Sequence, residues 1–163
     1  MSKKMEEKNK FLSLASSAFK FRMYLLYKLP AAFFSGIKIR EISMEKCTTF
    51  VPYKWLTQNP FRSTYFASLA MAAEMSTGLL ALINTYQRNP PISMLVTKME
   101  ANYFTKAKGV TFFTCEEGQE IANAVNEADK SGDGKTIIVK SAGKNRDGEP
   151  IAEFLFTWSF KKK

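Results

Sequence analysis

A chain of 163 residues, 45% hydrophobic and 24% charged, is long enough for one domain with a sizeable core and too apolar for disorder. It has no histidine, which removes a histidine base, a Ser-His-Asp triad and the usual His-containing zinc sites, and its two cysteines are too few for a disulfide scaffold. With 24 Lys and Arg against 15 Asp and Glu, the net charge of +9 favours anionic partners; a phosphate-bearing small ligand is preferred to nucleic acid, because no basic run lies among aromatics in a recognisable module.

In chain order, residues 1–10 read as a polar, disordered tail and 11–163 as a single domain. Residues 11–29 have helical spacing, with Leu14, Ala18 and Leu25 on one side and Phe11, Ala15, Arg22 and Leu26 on neighbouring turns; Pro30 is the expected stop. Lys20, Arg22 and Lys28 give this helix a basic flank that suits a membrane surface, but docking across the domain's own sheet is the plainer reading. No uninterrupted apolar stretch reaches membrane-spanning length and no clear signal-peptide pattern opens the chain. A cytoplasmic protein without integral membrane contact is therefore expected.

Residues 37–53 alternate as one long strand with a bulge near Glu41 to Ser43, closed by Pro52. Asn59-Pro60 marks a turn, with Ser63 or Thr64 the expected N-cap of a central helix over 64–86. Glu74 is the only charge between Arg62 and Arg88. A carboxylate in so apolar a helix is costly if it stays charged, buried and unpaired, so Glu74 is either a reactive group or a paired structural acid. Gly78 lowers helix propensity, which points to close packing against a partner helix.

Pro90-Pro91 ends this segment. Strands follow over 92–109, with an irregularity, and over 110–117; a short helix spans 118–129 and a turn 131–134. Two further strands, 135–143 and 151–160, flank a loop in which Asp147-Gly148 invites a tight turn. Cys47 and Cys115 fall in strands and are expected as buried free thiols. The segments GDGKT and DKSGDG fail as phosphate and calcium loops, because the required glycine and the closing glutamate are missing. Five strands in one antiparallel sheet that buries the long helix make an α+β arrangement.

The element order, Asn59, the acid-bearing central helix and the segment EANYFTKAKG (100–109) resemble the hotdog-fold acyl-CoA thioesterase-like superfamily, especially its DUF4442-like branch, over roughly residues 35–160. The resemblance implies a hotdog fold: a curved sheet of about five strands wrapped around the central helix, here with an extra N-terminal helix. It also implies a homodimer, often assembled into a homotetramer, with an acyl-thioester site at the dimer interface and no cofactor or metal. Asn59 and Glu74 match the asparagine and acid of the phenylacetate-pathway type at the family's spacing. Glu74 would act as general base or nucleophile and helix-start amides as the oxyanion hole.

Where active relatives carry a histidine and two glycines, this chain aligns Tyr65, Phe66 and Ala67. The backbone N–H groups survive that change, but large rings stand where a thioester should approach. These three residues, with Met71 and Thr77 on the helix and Tyr103, Phe104 and Lys106 on the second long strand, are the candidate substrate contacts. Thr77 and Ser76 could instead bond back to the helix. Lys106, Lys108, Lys144 and Arg146 are candidates for coenzyme A phosphates, or a solvated edge. The expected function is hydrolysis of an acyl-CoA or related acyl thioester. The alternatives are a non-catalytic lipid- or acyl-binding protein, and a structural assembly protein whose pocket is closed by Tyr65, Phe66 and methionines.

Overall fold

Helix α4 (Phe66–Thr85) organises the fold. In the computed structural model, which describes residues 3–163, α4 lies in the concave face of a curved antiparallel sheet. By length and composition α4 could cross a membrane, contrary to the expectation that no stretch reaches that length, yet most of it is buried inside the fold. It is the core helix. A helix apolar on nearly every side needs cover on nearly every side, and the sheet supplies most of it.

The sheet has six strands in the order β1 (Lys38–Ile42), β2 (Cys47–Val51), β4 (Thr111–Cys115), β5 (Lys135–Lys144), β6 (Pro150–Lys162), β3 (Ile92–Tyr103). Every pairing is antiparallel. Alternation along β6 turns Phe154, Phe156, Trp158 and Phe160 inward, all buried. Each such ring contributes roughly 2 to 3 kcal/mol on leaving water. The long strand β3 is an edge, paired only with β6, and one bulge falls between Val96 and Lys98.

Six strands replace the expected five because residues 37–53 fold back as a hairpin. Ser43 makes the turn: its Oγ accepts from the N–H of Glu45 (3.2 Å) and of Lys46 (3.0 Å), and its own N–H donates to the Lys46 carbonyl at 2.8 Å. A serine turn of this kind needs no glycine or proline. The strand irregularity falls between Ile39 and Glu41, just ahead of the expected Glu41 to Ser43.

The single N-terminal helix becomes three: α1 (Lys3–Ser16), α2 (Ala18–Lys28) and α3 (Pro30–Ser35). The tail expected over 1–10 is helical from Lys3 onward; Met1 and Ser2 lie outside the described residues. Lys8 Nζ donates to Asn84 Oδ1 at 2.6 Å and Phe11 packs on Tyr86 at 5.2 Å, fixing α1 to the end of α4. Ser17 caps α2 by accepting from the Lys20 N–H. Pro30 opens α3 instead of stopping a helix, since its fixed φ and missing N–H are tolerated in a first turn. Gly36, at φ 77°, closes α3 in the left-handed conformation.

Helix α5 (Gly118–Ser131) packs Ile121, Val125 and Ala128 inward. It is tied to the end of α4 by the buried Arg88, which donates to the Asn84 carbonyl (2.6 Å), Asn126 Oδ1 (2.7 Å) and Asp129 Oδ2 (3.2 Å). Cys47 and Cys115, distant in sequence, lie opposite each other on β2 and β4 as buried free thiols. Burial pushes both thiols up, that of Cys115 to about 12, so neither is a reactive thiolate.

Candidate functional site

The start of α4 is set by a loop whose polar groups are used locally. Asn59 Oδ1 accepts from the N–H of Phe61 (3.0 Å) and of Ser63 (3.2 Å), while its Nδ2 donates to Ser63 Oγ at 3.1 Å. Asn59 thus shapes the entry to the helix. Thr64 donates both its N–H (2.8 Å) and its hydroxyl (3.2 Å) to the Ala107 carbonyl, and the Tyr65 N–H donates to the Thr57 carbonyl at 2.7 Å. With Ser63 and Thr64 so engaged, neither caps α4. Tyr65 takes the N-cap position, and its side chain makes no capping bond. The N–H groups of Phe66 and Ala67 have no acceptor among the described residues. A helix start of this kind favours negative charge.

Beside this helix start lies an open cleft of about 730 Å³. Six of the residues expected from the sequence meet there: Asn59, Tyr65, Phe66, Tyr103, Phe104 and Lys106. The rings of Tyr65 and Phe66, 4.8 Å apart, line the cleft and do not fill it. A second cleft of about 680 Å³ shares the wall Thr105–Ala107 and adds Lys108 and Arg146, together with Asp147 and Glu149. Lys144 is not part of that wall; with Arg146 it lines a separate cleft beside Arg40 and Lys140.

Glu74 lies elsewhere, two turns further along α4. Ala67, Met71, Glu74, Gly78 and Leu82 fall on one stripe of the helix, and all but Gly78 are only partly buried. This stripe is what the sheet leaves uncovered. Across from it, the bulge in β3 lets Met99 and Tyr103 face the concavity while staying about half exposed. The Glu74 carboxyl overhangs Gly78: a Cβ at position 78 would stand 2.8 Å from Glu74 Oε1 and 3.4 Å from Trp158 Cζ2. Gly78 therefore makes room for the chain's own carboxyl and indole.

Around the carboxyl is a cleft of about 140 Å³ lined by Phe21, Tyr24, Leu29, Met75, Leu79 and Met94, among others. Helix α2 thus roofs Glu74. Among the described residues the carboxyl has no hydrogen-bond or ion-pair partner, and burial among apolar groups pushes its pKa up to about 7. Thr77 does not reach either cleft. It is fully buried, accepts from Trp158 Nε1 at 3.0 Å and donates to the Glu74 carbonyl at 3.0 Å. Ser76 bonds to the Ala73 carbonyl and to Ser141, each at 2.8 Å. Neither hydroxyl orients the carboxylate.

Sequence reasoning missed Phe21, Tyr24 and Trp158 as neighbours of Glu74. Only the tertiary fold brings these three elements together, and no local pattern marks them. Along the helix, Phe66 and Glu74 are separated by about 12 Å at 1.5 Å per residue. One thioester carbonyl cannot touch both groups of the same chain.

Residues 20–160 match the family described as a domain of unknown function, DUF4442. No curated protein matches the chain. Among solved structures, a protein of unknown function from Chlorobaculum tepidum is similar at TM-score 0.74 and 19% identity, over 88% of this chain and 93% of that one. A mutant thioesterase from Pseudomonas aeruginosa is similar at TM-score 0.68 and 13% identity, over 91% and 96%. A thioesterase from Haemophilus influenzae is similar at TM-score 0.62 and 10% identity, over 90% and 91%. Identities this low speak to the fold. Because the family match runs from within α2 almost to the end of β6, on a sheet and helix of this topology, the chain belongs to the DUF4442 family and has the hotdog fold.

Proposed function

We propose that the chain hydrolyses an acyl thioester, with acyl-CoA the leading substrate class, at a site shared by two protomers of a homodimer. The observation that carries this reading is Glu74: an unpartnered carboxyl, held near pKa 7 by its apolar surroundings, on the one stripe of α4 that the sheet does not cover. A general base is most effective with a pKa close to the working pH. The 12 Å separation gives the dimer its reason, since Glu74 of one protomer would work with the helix start of its partner. The small Ala67 on the stripe and Ala70 beside it, both only partly buried, allow two α4 helices to approach closely, and the unpaired edge of β3 offers a way to join two sheets.

In this scheme Glu74 takes a proton from a water whose oxygen attacks the thioester carbonyl carbon. The oxyanion is held by the N–H groups of Phe66 and Ala67. On collapse the carbon–sulfur bond breaks, and the thiolate leaves with the proton returned by Glu74, giving a carboxylic acid and a thiol. The apolar cleft at the helix start suits the acyl chain, and the adjoining Lys106, Lys108 and Arg146 suit phosphates.

Two variants test the shared site. Glu74→Gln removes the base, and Ala67→Pro removes one helix-start donor at a position where proline is tolerated. Each homodimer is expected to lose roughly 100-fold or more in turnover of a thioester panel. Co-refolding the two is expected to restore about a quarter of wild-type turnover, because roughly half the dimers are mixed and hold one intact site of two. No recovery on mixing overturns the shared site, and undiminished turnover by Glu74→Gln overturns the base. In the wild type, kcat/KM should rise with pH up to about 7 and then level, as the carboxyl loses its proton.

A second reading, an acyl carrier without hydrolysis, draws on Tyr65 and Phe66. Tyr65 stands where active relatives carry a histidine and Phe66 where they carry a glycine, and both rings line the cleft beside the helix start. Acyl ligands that copurify with a chain inert toward every thioester would favour it.

A further inference from the structure

The outer side of α2 is left uncovered by the chain. Phe21 and Leu25 point into the core, whereas Phe19, Met23, Leu26 and Tyr27, at i, i+4, i+7 and i+8, share the opposite side; Phe19 is 75% and Tyr27 81% exposed. A helix apolar on both sides has surface to bury on both. Helix α3 carries the patch onward. There Lys54 Nζ donates to the Phe34 carbonyl at 2.8 Å, which brings up the 3-10 turn Trp55–Thr57, and Trp55 is 80% exposed.

The charge around this patch is mainly positive; an acid beside α2, Glu41, lines a cleft with Ala18, Phe21 and Arg22 and pairs with Lys46 at 3.5 Å. From Lys8 to Arg40 the chain carries seven Lys and Arg and no acid, and from Lys46 to Ala73 it carries three more, again with no acid. Lys20 and Lys28 flank the exposed side chains of α2 and are themselves exposed.

We propose that this face docks the protein on an anionic lipid bilayer. Phe19, Tyr27 and Trp55 enter the boundary between headgroups and acyl chains, and Lys20 and Lys28 reach lipid phosphates. Apolar bulk flanked by lysines is the pattern of a helix lying in a membrane interface, and each lysine near an anionic leaflet adds attraction. A second copy of the chain fits less well. A two-fold interface on this face would set lysines against lysines, and neither α2 nor α3 carries an acid to pair them. Nucleic acid could also stack on the exposed rings of Phe19, Tyr27 and Trp55, and the test separates it from lipid.

The test uses the full chain and two kinds of vesicle, phosphatidylglycerol-rich and pure phosphatidylcholine. Trp158 is buried, so a change in tryptophan emission on binding reports Trp55. The wild type is expected to float with the anionic vesicles, with emission shifted to the blue and quenched by brominated acyl chains; Trp55→Phe should abolish the shift. Phe19→Ser with Tyr27→Ser should weaken partitioning at least about tenfold. Both positions face outward, so circular dichroism should stay that of the wild type. Lys20→Glu with Lys28→Glu should remove the preference for anionic lipid. Equal binding to both vesicles, binding without bromine quenching, or RNA binding with no flotation would each overturn the proposal. So would efficient crosslinking of a Phe19→Cys variant into a dimer in the absence of lipid. None of these substitutions touches Glu74, so the outcome is independent of whether the chain hydrolyses thioesters.

Discussion

Glu74→Gln should make the folded chain more stable at pH 8, by about 2 to 3 kcal/mol, while leaving it almost unchanged at pH 4. The direction follows from the raised carboxyl. An unfolded glutamate loses its proton near 4.5, whereas the folded one holds it to about 7. Between those values the native state binds more protons than the unfolded chain, so stability falls as pH rises through that window. Above about 7 the full cost of a charged carboxylate among Phe21, Leu79 and Met94 is present; below about 4.5 it has gone. Glutamine keeps the shape and cannot ionise. Thermal midpoints at the two pH values measure the effect, with an expected gain of roughly 5 to 10 °C at pH 8 for a chain of this size. A variant less stable than the wild type at pH 8 would show that the carboxylate is held by a charge partner, and the case for a reactive group would go with it. Stability gained together with turnover lost is what a functional acid should give.

Gly118→Ala should be among the most damaging single changes, costing roughly 3 kcal/mol or more. A Cβ there would lie 2.6 Å from the Cα of Glu45 and 2.7 Å from its carbonyl oxygen. Both are backbone atoms in the β1–β2 turn, so no side chain can swing aside. The Gly118 N–H also donates to that carbonyl at 2.9 Å, which makes this contact the link between α5 and the hairpin. Pushing the strands apart would break it. The expected fall in melting temperature is roughly 6 to 12 °C. Gly134→Ala is the control, because the nearest atom to its added Cβ is 3.9 Å away and little change is expected. A Gly118→Ala protein that melts with the wild type would mean that the hairpin packs more loosely on α5 than these distances require.

The parts of this fold legible in the sequence are those carried by periodicity or by punctuation. Residues 151–160 were legible as the strand β6, the apolar run gave α4 within two residues at either end, and Asn59-Pro60 gave the turn ahead of it. Two misreadings came from residues with two meanings. Pro30 can end a helix or begin one, and only the non-helical Leu29 before it decides. Ser43 turns a chain as well as glycine does, but serine is too common in strands to announce a hairpin. The site was half legible. Asn59, Tyr65 and Phe66 are sequence neighbours, and the cleft beside α4 gathers them with Tyr103, Phe104 and Lys106. Thr77 shares a turn with Glu74 yet belongs to Trp158, eighty-one residues away, because helical proximity does not tell which way a hydroxyl points.

The bulge in β3 has a price that only its absence would reveal. Thr97 steps out of the ladder between Val96, opposite Trp158, and Lys98, opposite Thr157. Were it to take its place in a regular ladder, Lys98 would be set against Phe156 and Glu100 against Phe154. Two ions would then be driven into the aromatic floor of the sheet. A misthreaded edge strand is thus expelled by its own charges, and the chain proofreads this pairing as it folds.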